Sequence, residues 1–303
     1  MKITIIGAGA MGCLFGGLLA EGGQDVCLLD VGAEKVRLIN AEGVHIRKDG
    51  QERIVRVRAV LDPAAISASE LALLCVKHGQ TKAAAQAAAK LSGCPAVLTL
   101  QNGMGNPEII AEVVNPERLL CGCTAQGAMQ LGLGRIQHSG SGSTFIGKWP
   151  QGSSQIAAQI AAVFSAAGIA AESTTDIMPL LWRKLLVNVG INAITALTGI
   201  RNGELLALAA TRELVTAAVD EAMTVAHALA VPLPDDAAAQ VFAVAQATAA
   251  NRSSMGQDVD ARRPTEIEAI NGWIVRRAEE LGLAVPVNRT LTALVKTIQQ
   301  HYR

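Results

Sequence analysis

The N-terminal segment constrains this chain more than any other. Lys2-Ile3-Thr4-Ile5-Ile6 is an apolar, β-rich run that leads into Gly7-Ala8-Gly9-Ala10-Met11-Gly12, and from there into the apolar stretch Cys13 to Ala20. A strand, a G-x-G-x-x-G turn and a helix in that order form the phosphate-binding corner of a dinucleotide-binding βαβ unit. Gly7 permits the tight turn, Gly9 lets backbone N–H groups approach a pyrophosphate, and Gly12 lets the helix pack close to the strand. The helix N-terminus then faces the anion with its partial positive charge. Gly7, Ala8, Gly9, Ala10, Met11 and Gly12 are therefore the expected cofactor-binding backbone. The plain alternative is a glycine-rich β-turn-α corner that holds no ligand. A second strand, Asp25-Val26-Cys27-Leu28-Leu29-Asp30, argues for a nucleotide, because it ends in a carboxylate about 20 residues beyond the glycines, where such folds contact the adenosine ribose. Asp30 should accept from a free 2′-hydroxyl and repel a 2′-phosphate, which favours NADH over NADPH. Lys35 and Arg37 follow closely as cations able to neutralise a phosphate.

Composition narrows the partners. The chain has 303 residues, half of them hydrophobic, and carries zero formal net charge with no Lys/Arg-rich run. Neither a nucleic-acid footprint nor an electrostatic attraction to anionic membrane is expected. Partners should be small molecules or copies of the chain itself, and the apolar second half is compatible with a homodimer. Cysteines at positions 13, 27, 75, 94, 121 and 123 form no C-x-x-C pair, so free thiols in a reducing cytosol are expected, with no metal site. Leu14 to Ala20 is too short to span a bilayer, and a strand starting at residue 2 leaves no room for a signal peptide. These features predict a cytoplasmic protein.

Through residue 174 short β-rich runs alternate with alanine-rich helical stretches, the sequence form of a parallel sheet covered on both faces. Leu71 to Val76 and Ala96 to Leu100 read as buried strands flanking a helix from Gln80 to Leu91. Arg135 to His138 and Ser143 to Gly147, separated by a Gly/Ser-rich turn, read as an antiparallel hairpin appended to the sheet. Beyond Asp176 strand signals stop and apolar residues recur at helical spacing. The expected architecture is an α/β Rossmann-type domain over residues 1–174 followed by an all-α domain over 175–303.

Polar residues placed just after parallel strands point into the ligand crevice of an open sheet. Lys77 and His78 follow Val76, and Gln101-Asn102-Gly103 follows Leu100, although Asn-Gly is also a common turn dipeptide. In the helical half Lys184, Asn188 and Asn192 repeat every four residues, so they stack on one face of an otherwise apolar helix. Such a stripe either faces water or lines a site for a polar ligand. Asn251 to Asp258 reads as a helix start capped by serine, and Arg263-Pro264-Thr265-Glu266 as another, where the helix dipole alone would favour a carboxylate.

These segments, read together with Trp182-Arg183-Lys184, Arg201-Asn202-Gly203, Ser253-Ser254-Met255 and Thr265-Glu266-Ile267 with Ile270-Asn271-Gly272, resemble the ketopantoate reductase family from residue 1 to about 295. The resemblance implies a Rossmann-type N-terminal domain, a helical C-terminal domain like that of 6-phosphogluconate dehydrogenase, and reduction of 2-dehydropantoate to (R)-pantoate on the way to pantothenate and coenzyme A. It implies Lys184 as the proton donor and Glu266 as an acidic partner that contacts cofactor or substrate and orients it. Asn102, Asn188, Asn192, Asn202, Asn251 and Ser254 match substrate-binding positions. Lys77, Asn102, Ala128 and Glu266 match positions on the cofactor side. NADPH is the family default, received by an arginine just after the second strand, where this chain has Asp30-Val31-Gly32. Gln126 stands where a histidine is frequent, and His78 where a small residue is.

Two other functions fit the same residues. One is an NADH-dependent 2-hydroxy-acid dehydrogenase acting on a different 2-keto acid. The other is a non-catalytic redox sensor that binds a dinucleotide, against which Lys184, Asn188, Ser254 and Glu266 argue, because a sensor needs the glycines and not the proton donor.

Overall fold

The computed structural model describes residues 1–302. The chain forms two units. One comprises Met1–Gln101 and Asn106–Ile177, the other Asn102–Gly105 and the chain from Met178 onward. Relative to the boundary expected at 174, the division falls three residues later, and Asn102–Gly105 belongs to the helical unit.

The first unit alternates strands and helices: β1 (Lys2–Ile6), α1 (Ala10–Glu21), β2 (Asp25–Leu29), α2 (Ala33–Glu42), β3 (Val44–Lys48), β4 (Gln51–Val55), β5 (Arg58–Val60), β6 (Leu71–Leu74), α3 (Thr81–Ala89), β7 (Ala96–Thr99), α4 (Asn106–Ala111), β8 (Leu119–Thr124), β9 (Gly127–Gly132), β10 (Arg135–Gly140), β11 (Thr144–Lys148), α5 (Gln155–Ala166) and β12 (Ala171–Thr174). An eight-stranded sheet runs β12-β11-β8-β7-β6-β1-β2-β5. Its strands from β8 to β5 are parallel, and β11 joins β8 antiparallel. The chain winds outward from β1 through β2, then crosses to β6 on the other side, so the strand order reverses between β1 and β6.

Period-two alternation divides the apolar side chains between two cores. Ile3 and Ile5 face one core with Leu14, Phe15 and Leu19 of α1 and Phe164 of α5, where the rings of Phe15 and Phe164 lie 5.8 Å apart. Ile6, Leu74 and Val97 face the other, covered by Ala84, Ala85 and Ala88 of α3 and Ile110 of α4. The central strands β6 and β7 are buried at every residue. That explains their unbroken apolar sequences.

A second, four-stranded sheet, β4-β3-β10-β9, corrects the hairpin expected over residues 135–147. Strand β10 pairs with β9 and β3, whereas β11 pairs with β8 and β12 in the larger sheet. The Gly/Ser-rich segment between them is therefore a crossover. The hairpin that does form joins β9 to β10 and turns at Leu133-Gly134, where Gly134 has φ +69°.

The helical unit consists of α6 (Met178–Thr198), α7 (Ala209–Ala228), α8 (Ala237–Ala247), α9 (Ser254–Asp260), α10 (Asn271–Leu281) and α11 (Pro286–Gln300). Helix α6 is its spine, touching α7, α8, α9 and α11. By length and composition α6 would cross a membrane, yet 61% of its apolar window is buried within the protein. Trp182 and Trp273 meet edge to face, 5.4 Å apart, and fix α6 against α10. Asn271 and Asn288, both fully buried, hydrogen-bond each other at 2.9 Å, and Asn288 reaches Glu221 on α7 at 2.8 Å.

Candidate active site

The glycine corner joins β1 to α1 at the point where the strand order reverses. Gly7 has φ +101°, a backbone conformation that L side chains avoid, and a Cβ there would lie 2.7 Å from Val76 Cγ1 after β6. Gly9 is the N-cap of α1 and provides no side-chain cap. The first-turn N–H groups of Ala10, Met11 and Gly12 have no acceptor within the helix, and a Cβ on Gly9 would meet open space. This cradle fits a dinucleotide pyrophosphate. Ala8 differs from its neighbours in that its N–H is committed to Asp30 Oδ2 at 2.7 Å.

Asp30 is buried and satisfied from three sides. Besides Ala8, it accepts from Gly32 N at 2.9 Å and from Lys35 Nζ at 2.9 Å. It thus braces the glycine loop to the end of β2, and its charge is paired with a lysine that is 19% exposed. Val31 beside it is 88% exposed.

At the ends of β6 and β7 a polar network organises the first unit's loops. Gln101 Nε2 donates to Val76 O at 2.9 Å and to Thr81 Oγ1 at 2.8 Å, and its Oε1 accepts from Thr99 at 2.9 Å. Asn106 Oδ1 receives Thr81 Oγ1 at 3.0 Å and lies 2.7 Å from His78 Nδ1. These contacts fix the segment carrying Lys77, which is exposed. Asn106 and Thr81 were not legible as site-organising residues, since their partners come from separate loops. Ala128 is half-buried on β9 opposite His138. Gln126 accepts from His138 Nε2 at 3.0 Å and donates to Gly142 O at 2.7 Å.

In the helical unit α6 carries Lys184, Asn188 and Asn192 one turn apart. Lys184 and Asn188 are half-buried, and Asn192 is buried. Asn192 Nδ2 donates to Asn188 Oδ1 at 3.3 Å and approaches Ser254 Oγ at 3.5 Å, the outer limit of a hydrogen bond. Ser254 is the first residue of α9, whose N-cap Ser253 accepts from Gly256 N at 3.0 Å and from Thr195 Oγ1 at 2.7 Å. Asn188 Nδ2 and Asn202 Oδ1 are buried without hydrogen-bond partners. Asn202 is anchored through its Nδ2 to Thr248 at 2.9 Å and through its N–H to Asn251 O at 3.0 Å. Asn251 is exposed.

Asn102 and Glu266 meet in the same unit, with Asn102 Nδ2 3.2 Å from Glu266 Oε2. Glu266 is 6% exposed and caps a 3-10 turn, Ile267–Ala269, not the head of a long α-helix as its apolar neighbours suggested. The reason is tertiary: Met104 N–H takes the Ala269 carbonyl at 2.8 Å, diverting an acceptor that a continuous helix would use. Gly103, at φ +79°, allows this approach, because a Cβ there would collide with Ala269.

The assembled residues are those of a dinucleotide corner in one unit and a lysine–amide stripe in the other. Comparison with known proteins matches both. The N-terminal profile of the ketopantoate reductase PanE/ApbA family covers residues 3–151, and its C-terminal profile covers residues 176–299. A 2-dehydropantoate 2-reductase from Halobacterium salinarum is 36% identical over 301 residues, 99% of each chain. The PanE/ApbA family ketopantoate reductase of Ralstonia eutropha superposes with a TM-score of 0.91 at 34% identity, covering 100% of this chain and 99% of the other. A D-mandelate dehydrogenase solved with NADH and anilino(oxo)acetate superposes with a TM-score of 0.93 at 30% identity and the same coverage. This chain belongs to the ketopantoate reductase PanE/ApbA family.

Proposed function

We propose that this chain is an NAD(P)H-dependent oxidoreductase that reduces 2-dehydropantoate to (R)-pantoate in pantothenate and coenzyme A biosynthesis, with Lys184 as proton donor. The observation that carries the reading is the Lys184–Asn188–Asn192 stripe on a core helix. Its buried Asn188 Nδ2 lacks an acceptor, an arrangement that costs about 1–3 kcal/mol and that a bound carboxylate or hydroxyl would relieve. Full-length relatives named 2-dehydropantoate 2-reductase support the substrate.

The cofactor supplies a hydride when bound. Hydride addition at C2 of a 2-keto acid builds alkoxide charge on the keto oxygen. An ammonium within hydrogen-bond reach stabilises that charge and then delivers the proton, the role given to Lys184. Asn188, Asn192, Asn202, Asn251 and Ser254 hold the carboxylate and distal hydroxyl in this scheme. Asn102 and Glu266, hydrogen-bonded to each other, orient the reacting groups. The first-turn N–H groups of α1 hold the pyrophosphate, with Lys77 and Ala128 on the cofactor side. NADH as preferred cofactor is supported by Asp30 at the end of β2 and by the apolar Val31 at the corner where a 2′-phosphate would need a cation. The six free cysteines fit a cytoplasmic location.

A second reading, reduction of another 2-keto acid, is favoured by the similarity to D-mandelate dehydrogenase. Initial rates on a panel of 2-keto acids including 2-dehydropantoate, with NADH and NADPH, separate the two. Lys184→Ala should lower turnover about 10²–10⁴-fold while the cofactor Kd stays unchanged. Undiminished turnover in that variant removes Lys184 from the mechanism.

A further inference from the structure

Arg252 stands beside the serines at the start of α9, and no role for it follows from the chemistry above. Its guanidinium makes a two-pronged contact with Asp260 at the end of α9, Nε to Oδ2 at 2.8 Å and Nη2 to Oδ1 at 2.9 Å. Its remaining Nη1 donates to Thr195 O in the last turn of α6 and, at 3.0 Å, to Ile200 O just beyond the helix. Thr195 O also accepts from Gly199 N–H at 3.0 Å, and the half-buried guanidinium adds a charged donor at this helix end, where the dipole favours a cation. The guanidinium passes directly over Gly256, where a Cβ would stand 2.5 Å from Cζ. One side chain thereby ties the end of α6 to both ends of α9. Next to this tie, Thr195 Oγ1 donates to Ser253 Oγ at 2.7 Å, and one turn earlier Asn192 reaches Ser254 at 3.5 Å.

We propose that Arg252 is a positioning residue: by pinning the end of α6 to α9 it sets the register that brings Ser254 Oγ to Asn192, and so governs affinity for the 2-keto acid and not the hydride-transfer step. The 3.5 Å contact has little slack, and a slip of a few tenths of an ångström between the helices breaks it. Asp260 keeps the guanidinium in place as its counter-charge, and Gly256 is the gap through which it passes. This inference rests on the reading that Asn192 and Ser254 bind substrate.

The test measures KM and kcat for the 2-keto acid, Kd for NADH by fluorescence titration, and the melting temperature. The variants are Arg252→Met, Arg252→Lys, Gly256→Ala and Asp260→Asn. Arg252→Met and Gly256→Ala should each raise KM about tenfold with kcat and the NADH Kd unchanged. The double variant should be no worse than Arg252→Met alone, because both remove the same contact. Arg252→Lys keeps a charge but not the fork and should restore KM in part. Gly256→Ala displaces the guanidinium by a side-chain shift alone, so the question stays open to test if Arg252→Met fails to fold. A folded Arg252→Met or Gly256→Ala enzyme with unchanged KM overturns the proposal, as does a fall in kcat at constant KM. Asn192→Ala and Ser254→Ala separate the two levels: if they leave KM unchanged the substrate reading fails and this proposal with it, whereas raised KM in those variants alone refutes only the role of Arg252.

Discussion

Asp30 offers the sharpest test of how the glycine corner is built. Replacing it with alanine removes the acceptor for Ala8 N–H at 2.7 Å, for Gly32 N–H at 2.9 Å and for Lys35 at 2.9 Å. Ala8 is 1% exposed, so its N–H is left without an acceptor and without water. That alone costs about 1–3 kcal/mol, and a hydrogen bond to a charged group contributes about 1.5–3 kcal/mol. Gly32 and Lys35 can turn to solvent and add less, so we expect a total near 3 kcal/mol. In a unit of this size each kcal/mol shifts the melting temperature by about 2–4 °C, which gives about 6–12 °C. Asp30→Asn keeps an acceptor for Ala8 and should lose much less. Thermal unfolding followed by circular dichroism reads the stability effect, and NADH and NADPH titrations on the same samples read the cofactor effect. Asp30→Ala should also erase the preference for NADH. A variant that melts within about one degree of the parent would refute the bracing role, and a parent that prefers NADPH would refute the role in cofactor choice.

Gly103→Ala places a Cβ against Ala269 at a positive φ, so the Asn102–Glu266 contact should be lost. We expect kcat/KM to fall at least about tenfold, equivalent to one lost hydrogen bond, and unaltered kcat/KM would show that this contact is not used. His138 is held below its ordinary value of 6.5 chiefly by burial, with Lys48 and Arg53 adding to the effect against the opposing Gly140 carbonyl and Asp49. A depressed histidine contributes stability that is complete above that ordinary value and is lost as pH falls toward the folded value. The first unit should therefore melt earlier as pH drops from about 7.5 to about 5.5, and His138→Gln should flatten that decline. An equally steep decline in the variant would exclude His138 as its source.

What could be read from the sequence was local. The glycine corner, the alternation of strands and helices and the α6 stripe each follow from spacing along a few turns, and the fold places them in regular elements. The hairpin expected over residues 135–147 failed because β10 pairs with the preceding β9 and with β3 while β11 pairs with β8 and β12 in the other sheet, and a Gly/Ser crossover looks the same in sequence as a turn. The β3–β4 hairpin did carry a local signal, Asp49-Gly50, both with positive φ. That dipeptide is a strong hairpin indicator. Glu266 lost its helix because the Ala269 carbonyl of its own turn accepts from Met104 N–H of another segment. Arg252 was hidden for a related reason: two of its partners are main-chain carbonyls, which have no identity in a sequence.

The glycine corner and the α6 stripe are prepared for their proposed ligands in opposite ways. Around the glycine corner the polar side chain is satisfied within the protein: Asp30 takes three donors, and the loop is held in shape with α1's first turn uncapped. A pyrophosphate bound there meets a rigid cradle and loses little to loop ordering. In the helical unit the reverse holds, since Asn188 Nδ2 on α6 and Asn202 Oδ1 beyond it are buried without partners and Asn192 holds Ser254 only at 3.5 Å. Folding leaves those groups undersatisfied, at a cost in stability that a correctly shaped polar ligand recovers on binding. An analogue that lacks the matching oxygen recovers none of it, which is how amides buried in this way discriminate between substrates. Discrimination among 2-keto acids should therefore reside in the amide and hydroxyl positions of the helical unit, and discrimination among cofactors at Asp30 and its neighbours.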